Sequence, residues 1–203
     1  MKRRVITERT VREAARGGKS LYIGADDAVT DAARDAARSL GVALDSTPGA
    51  PAVPLVVALG SDHGGFQLKE ALKAVIAELK LEVNDVGCTS TDPVDYPVFA
   101  ARVADLVAGG EARFGIMVDG AGIGSAMVAN KIAGVRAALC YDLTTARNAR
   151  EHNDANLLTL GGGLIGERLA GDIVRAFLTT PFGGDRHARR VAMINALDKK
   201  RGD

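Results

Sequence analysis

The sequence predicts a doubly wound α/β domain, five parallel strands covered by helices on both faces, behind a small, mainly helical N-terminal extension. Three observations carry this. Short β-branched runs alternate with helical periodicity from residue 54 onward. Runs such as "VPLVVALG" are continuously apolar rather than alternating, as strands buried on both faces must be. A proline- and glycine-rich stretch, "DSTPGAPAVP", separates this pattern from what precedes it. The expected organisation is an extension over residues 1–44, a linker over 45–53 and the main domain over 54–203.

In the extension, Thr10 and Glu13 have capping-box spacing and predict one helix start. Thr30 precedes "DAARDAARSL", a second helix that Gly41 can terminate, and "SLYI" between them reads as a short strand. So short a segment buries little apolar area alone, so it should dock on something, pair with another chain or stay mobile. In the main domain the strands are "VPLVVALG", "LEVNDVG", "FGIMVDG", "VRAALC" and "ANLLTLG". The helices between and after them are "GGFQLKEALKAVIAELK", "YPVFAARVADLVAGG", "SAMVANKI", "LTTARNAREHN" and "ERLAGDIVRAFLTT", with a basic terminal helix in "GDRHARRVAMINALDKK".

The bulk numbers narrow the function classes. With 26 basic and 25 acidic residues among 203, no whole-chain field favours nucleic acid or an anionic membrane. No apolar run approaches the roughly 20 residues needed to span a bilayer, and the charged N-terminus has no signal-peptide core, so a cytoplasmic protein is expected. Two cysteines, Cys88 and Cys140, are too few for a disulfide framework and are not spaced like zinc ligands. Scarce aromatics argue against base stacking, and small polar ligands fit better.

In doubly wound sheets ligands sit beyond the carboxyl ends of the strands, which selects particular loops. The first strand ends in Ser61, Asp62 and His63, followed by Gly64 and Gly65 at a helix start, a position suited to an acid–base pair or an anion site, or simply to a helix cap. After the second strand, Asp95 and Pro97 read as a helix start, with Tyr96 able to line a sugar site. The third strand feeds "DGAGIGS", where close glycines let backbone amides converge on a phosphate or enediolate oxygen. No Gly-Lys-Ser/Thr follows, so this is not a P-loop. His152 and Asn153 fall in the turn that ends the fourth helix. Arg186, His187, Arg189 and Arg190 crowd the start of the terminal helix, where cations oppose the dipole unless an anion compensates.

Taken in order, "GSDHGGFQLKE", "DVGCTSTDPVDYP", "GAGIG" with "ANKIAGVRAALC", "REHNDANLLTLGG" and "GDRHARRV" resemble the ribose-5-phosphate isomerase B and galactose-6-phosphate isomerase family over residues 54 to about 197. The resemblance implies a Rossmann-like three-layer α/β/α domain, at least a homodimer with active sites shared between subunits, and no metal or nucleotide cofactor. It implies interconversion of aldose and ketose phosphates through ring opening and a cis-enediolate, with ribose 5-phosphate and ribulose 5-phosphate the leading pair. Residue by residue, His152 matches the ring-opening histidine and Asn153 a sugar-binding amide. Asp62 and Tyr96 match groups on the sugar hydroxyls and ring oxygen, and His63, Arg186 and Arg190 match phosphate ligands, the arginines coming from the partner subunit. Gly120, Gly122 and Gly124 match the anion-stabilising loop.

The chain departs from the family pattern at the proton-abstracting step. Asp119 stands where the usual cysteine base sits, Ala121 replaces a threonine or serine, and Gly163 an arginine; the loop glutamate used by some branches is Ser125 here. Asp119 is the acidic side chain left in the loop, and carboxylates do abstract protons alpha to carbonyls. An aspartate's ordinary pKa of about 3.9 is low for a base, so burial would help it. The competing reading is that Asp119 caps the following helix in a sugar-phosphate-binding or partner subunit without turnover of its own. Separately, "RRVITERTVREAARGG" and "AVTDAARDAARSLGV" resemble the leading segments of bacterial microcompartment enzymes, which implies docking to a shell or a co-encapsulated enzyme; an extension that packs only on its own domain is the alternative.

Overall fold

The structure is a computed structural model that describes residues 5–17, 20–23, 27–45 and 55–198. The chain divides into two compact units, Met1–Ala52 and Val53–Asp203. The expected linker over 45–53 lies, beyond Asp45, outside the described residues.

The first unit runs β1 (Val5–Ile6), α1 (Glu8–Gly17), β2 (Ser20–Tyr22), β3 (Ala28–Val29), α2 (Asp31–Leu40), β4 (Ala43–Asp45). The expected second helix is present, with Thr30 Oγ1 accepting the Ala33 N–H at 3.2 Å and Gly41 ending it in the left-handed region at φ 65°. The first helix begins earlier than the Thr10–Glu13 spacing implies. Thr10 lies inside its first turn, and its Oγ1 takes the N–H of Thr7 at 3.3 Å, so Thr7 occupies the start and Thr10 reaches back to it. Four short strands accompany the two helices. β1 pairs with β3 and β2 with β4, both parallel, and every paired residue is 23 positions from its partner, as Val5 is from Ala28 and Ser20 from Ala43. The helices repeat at the same interval, so the unit is two β-α-β halves whose strands pair only across halves. Ile6, Val11, Ala33, Ala36, Ala37 and Val42 form its small core.

The second unit follows the expected alternation: β5 (Val56–Ser61), α3 (Phe66–Glu78), β6 (Glu82–Asp85), α4 (Tyr96–Ala108), β7 (Phe114–Asp119), α5 (Ile123–Ala129), β8 (Ala137–Leu139), α6 (Leu143–Asn153), β9 (Leu157–Gly161), α7 (Glu167–Thr179), α8 (Asp185–Asn195). Five strands form one parallel sheet in the order β6-β5-β7-β9-β8. Successive residues point to opposite faces. Val57, Leu59, Ile116, Val118, Leu158 and Leu160 meet α3, α6 and α7 through Leu72, Ile76, Ala146, Ile173 and Phe177. Ala58, Met117 and Leu157 meet α4 and α5 through Ala100, Val103, Ala104 and Ala129. Helices on both faces explain why the three inner strands read as unbroken apolar runs. Full burial of each large side chain contributes about 1.5–3 kcal/mol.

β5 lies between β6 and β7, so the chain leaves it on one side and returns on the other. At such a switch the connections diverge and open a crevice beyond the carboxyl ends of β5 and β7. Close approach across it demands glycine at position 65, where an added Cβ would fall 2.1 Å from the Val118 carbonyl oxygen. Among the described residues no helix is long and apolar enough to cross a membrane.

Candidate functional site

At the crevice the ends of β5 and β7 are tied directly, Asp62 N–H donating to Val118 O at 3.2 Å. Asp62 is buried, and its Oδ1 accepts the Gly65 N–H at 3.0 Å, so it fixes the turn that leads into α3 while lying beside the loop after β7. An added Cβ on Gly64 would stand 3.4 Å from Asp62 Oδ1 and 3.5 Å from Gly120 N. His63 is held by the backbone of Val94, whose N–H reaches Nδ1 at 3.1 Å and whose carbonyl lies 3.2 Å from the same nitrogen. That leaves Nε2 as the nitrogen not engaged by Val94. Tyr96 opens α4 after Asp95, whose side chain makes no cap bond, and its phenol lies against Gly124: a Cβ there would be 2.5 Å from the Tyr96 hydroxyl. Asp62, His63, Tyr96, Asp119 and the glycine loop therefore share one edge of the sheet.

Asp119 is the last residue of β7 and is 4% exposed. Its Oδ1 accepts from Ala121 N at 2.8 Å and, more closely, from Gly122 N; its Oδ2 accepts from Ser125 N at 3.1 Å and, more closely, from Ser125 Oγ. A carboxylate has about four acceptor positions, and all four are in use. Asp119 thus pins the loop to the start of α5. Of the three loop glycines expected to cradle an anion, Gly122 gives its amide to Asp119, whereas Gly120 and Gly124 are not among the donors. Gly122 also takes φ 75°, and a Cβ there would meet Leu139 at 2.5 Å, so glycine is required twice over. Beneath the loop, Gly162 N–H donates to Asp119 O and Gly163 N–H to Gly120 O.

His152, Asn153, Arg186 and Arg190 are elsewhere. α6 runs back from the carboxyl end of β8 to the amino end of β9, so its last turn lies at the opposite edge of the sheet. Arg136, at the start of β8, marks this directly: its Nε donates to the carbonyls of Asn153 and Asp154 and its Nη2 to Asp154 Oδ2. His152 and Asn153 are in that last helical turn, at the helix end expected from the sequence, and Asp154 closes it in the left-handed cap at φ 45°. The start of α8 is joined to the same corner by Gly183 N–H donating to Glu151 O at 2.9 Å. There the rings of His152 and His187 stack, with centroids 4.2 Å apart. Arg186 and Arg190 are exposed on the first turns of α8. The chain therefore holds two groups of site residues, separated by the length of the strands.

Several contributors have weak or no signals in the sequence. Tyr141 donates its phenol to the Ala121 carbonyl, fixing the glycine loop from the β8 side, and nothing local announces this. Asn148 donates to His152 Nδ1 at 2.8 Å, a contact that its spacing of four residues could have suggested. Arg150 is buried against Phe114 and Phe177 and binds Asp154 and the Ala155 carbonyl, fixing the end of α6. Cys88 is buried and gives its thiol to Ser90 O, in line with a structural role.

Comparison with known proteins adds to this geometry. A family model described as Ribose/Galactose Isomerase matches residues 57–194. The chain is 43% identical over 145 residues to the ribose-5-phosphate isomerase B of Escherichia coli (strain K12), covering 71% of this chain and 97% of that protein. It is 37% identical over 144 residues to the ribose-5-P isomerase B of Listeria innocua, covering 71% and 97%. Among solved structures, the ribose 5-phosphate isomerase of Thermotoga maritima superposes with a TM-score of 0.67 at 46% identity, covering 70% of this chain and 97% of that one. The type B enzyme of Trypanosoma cruzi gives 0.70 at 43% identity, covering 72% and 97%.

Proposed function

Because the chain belongs to the ribose/galactose isomerase family and is a sugar-phosphate isomerase, we propose that it interconverts ribose 5-phosphate and ribulose 5-phosphate through a cis-enediolate. The observation that carries this is the meeting of Asp62, His63, Tyr96 and the glycine loop at the switch between β5 and β7. In this reading His152 and Asp62 open the furanose ring, His152 giving a proton to the ring oxygen as the Asp62 carboxylate takes the one the C1 hydroxyl loses. Asp119 then takes the C2 proton and returns it to C1, while the hydroxyl proton passes from O2 to O1. Gly120 and Gly124 offer amides to the enediolate oxygens, and Tyr96 and Asn153 hold hydroxyls. His63, Arg186 and Arg190 bind the phosphate, with no metal or nucleotide cofactor taking part.

Such a site needs two copies of the chain. The separation of His152, Asn153, Arg186 and Arg190 from Asp62 and Asp119 supports a homodimer, or a tetramer built from two such dimers, in which the α6–α8 corner of one subunit faces the β5–β7 crevice of the other. Turnover measured with a coupled assay across a panel of aldose phosphates tests the substrate; faster reaction with a hexose phosphate than with ribose 5-phosphate would refute it.

A second reading is favoured by the four hydrogen bonds on Asp119. A carboxylate so engaged has no lone pair directed at a substrate carbon, and proton abstraction requires one donor, most readily the rotatable Ser125 hydroxyl, to let go. If none does, the chain binds sugar phosphate as a weak or partner subunit. Substrate binding without turnover in the pure protein would decide for it. For residues 1–44, outside the matched region, docking to a microcompartment shell or cargo partner is the corresponding proposal. Deletion of residues 1–50, followed by assays of both activity and shell association, tests it.

A further inference from the structure

The corner between α6 and α8 determines more about His152 than its position. Asn148 lies one turn earlier on α6 and places Nδ2 2.8 Å from His152 Nδ1. An amide nitrogen can only donate, so Nδ1 is an acceptor and the neutral ring carries its proton on Nε2. The His187 ring lies parallel to it, with an interplanar angle of 4° and centroids 4.2 Å apart. Arg186 Nε donates to His187 Nε2 at 3.3 Å. A guanidinium does not give up its proton, so that nitrogen bears a lone pair and His187 is neutral in this arrangement. Burial, followed by the charges of His152, Arg186 and Arg190, lowers the His187 pKa against the opposing pull of Glu151. Two facing imidazolium rings would repel, whereas a neutral ring stacks against either form of its neighbour.

We propose that Asn148 and His187 are positioning residues that hold His152 in one plane and one tautomer, so that His152 is the ring of the pair that exchanges a proton with the sugar, through Nε2. This rests on the reading of His152 as the ring-opening group. The chain has only 3 histidines, so the nitrogen resonances of each ring can be assigned in the full-length protein. The test compares Asn148→Leu, His187→Phe and His187→Ala, measuring kcat and KM on ribose 5-phosphate and the imidazole tautomers by ¹⁵N NMR. Loss of orientation should lower kcat on the order of ten-fold in Asn148→Leu and His187→Ala with KM within about two-fold, and His187→Phe, which keeps a stacking ring, should stay within about three-fold of the parent. In Asn148→Leu the His152 signals should move toward a mixture of tautomers. An unchanged kcat in His187→Ala, equal losses in the two His187 variants, or a retained Nε2–H tautomer in Asn148→Leu would overturn the proposal. Full turnover in His152→Gln would instead remove the ring-opening assignment and leave the tautomer result as the measure of positioning.

Discussion

Replacing Asp119 by asparagine tests the loop and the chemistry together. Asn keeps one oxygen, which can still accept from Ala121 and Gly122, but without the charge those bonds weaken from about 1.5–3 kcal/mol to about 1 kcal/mol each. Its amide nitrogen then faces the Ser125 N–H, a buried donor left unpaired at about 1–3 kcal/mol, while the Ser125 hydroxyl can turn to accept. The sum is about 2–7 kcal/mol, centred near 4 kcal/mol, a large share of a typical stability of roughly 5–15 kcal/mol. For a unit of this size the central value corresponds to a fall in Tm of roughly 8–16 °C. Calorimetry and urea titration measure the stability, and a coupled assay with ribose 5-phosphate measures turnover. The expected result is a less stable protein that still binds substrate and has lost turnover by at least about 100-fold, the usual contribution of a general base. Unchanged stability would contradict the four-donor arrangement, and unchanged turnover would remove Asp119 from the proton transfer.

Gly65→Ala should disrupt the crevice, since its Cβ would lie 2.1 Å from the Val118 carbonyl; a loss of at least about 3 kcal/mol is expected, and a urea midpoint equal to the parent's would refute the close approach. Asp85 carries a pH dependence: partial burial pushes its carboxyl up, but the ammonium groups of Lys69 and Lys73 and the Gly87 N–H outweigh it, and the net shift is downward. A lowered carboxylate stabilises the fold above its unfolded pKa, near 3.8, and that contribution is lost as pH falls through the folded value. The stability gap between the parent and Asp85→Asn should therefore close below about pH 4, as read by denaturation at several pH values. Cys88 and Cys140 are both buried, and burial raises the Cys140 thiol to about 11, so iodoacetamide at pH 8 should leave both unmodified until the protein is unfolded. Mass spectrometry of the native and urea-treated protein checks this.

Much of the main domain could be read from pattern. Val56–Ser61, Phe114–Asp119 and Leu157–Gly161 are mainly apolar runs with glycines soon after their carboxyl ends, and they became the three inner strands because a strand covered on both faces buries the residues of such a run on either side. The N-terminal unit was less legible. Strands as short as Val5–Ile6 and Ala28–Val29 carry no periodicity of their own, and they exist because a partner 23 residues away supplies the other half of each ladder. The capping-box spacing at Thr10 misled for a similar reason: Thr7 and Thr10 are both competent caps, and the choice fell to the one that follows a paired strand.

In the main domain the sequence by itself determined the strand and helix order, the loops beyond the strand ends and the identity of the groups in them, because these follow from local periodicity and residue chemistry. Tertiary structure decided which of those groups meet. A helix that crosses back over the sheet carries His152 and Asn153 to the edge opposite Asp62, a separation that spacing along the chain does not encode. It also decided the state of Asp119. In the sequence it is an acid beside glycines; in the fold, the tight turn of those glycines aims three amides and the Ser125 hydroxyl back at its carboxylate. Backbone donors acquire direction only when the loop closes.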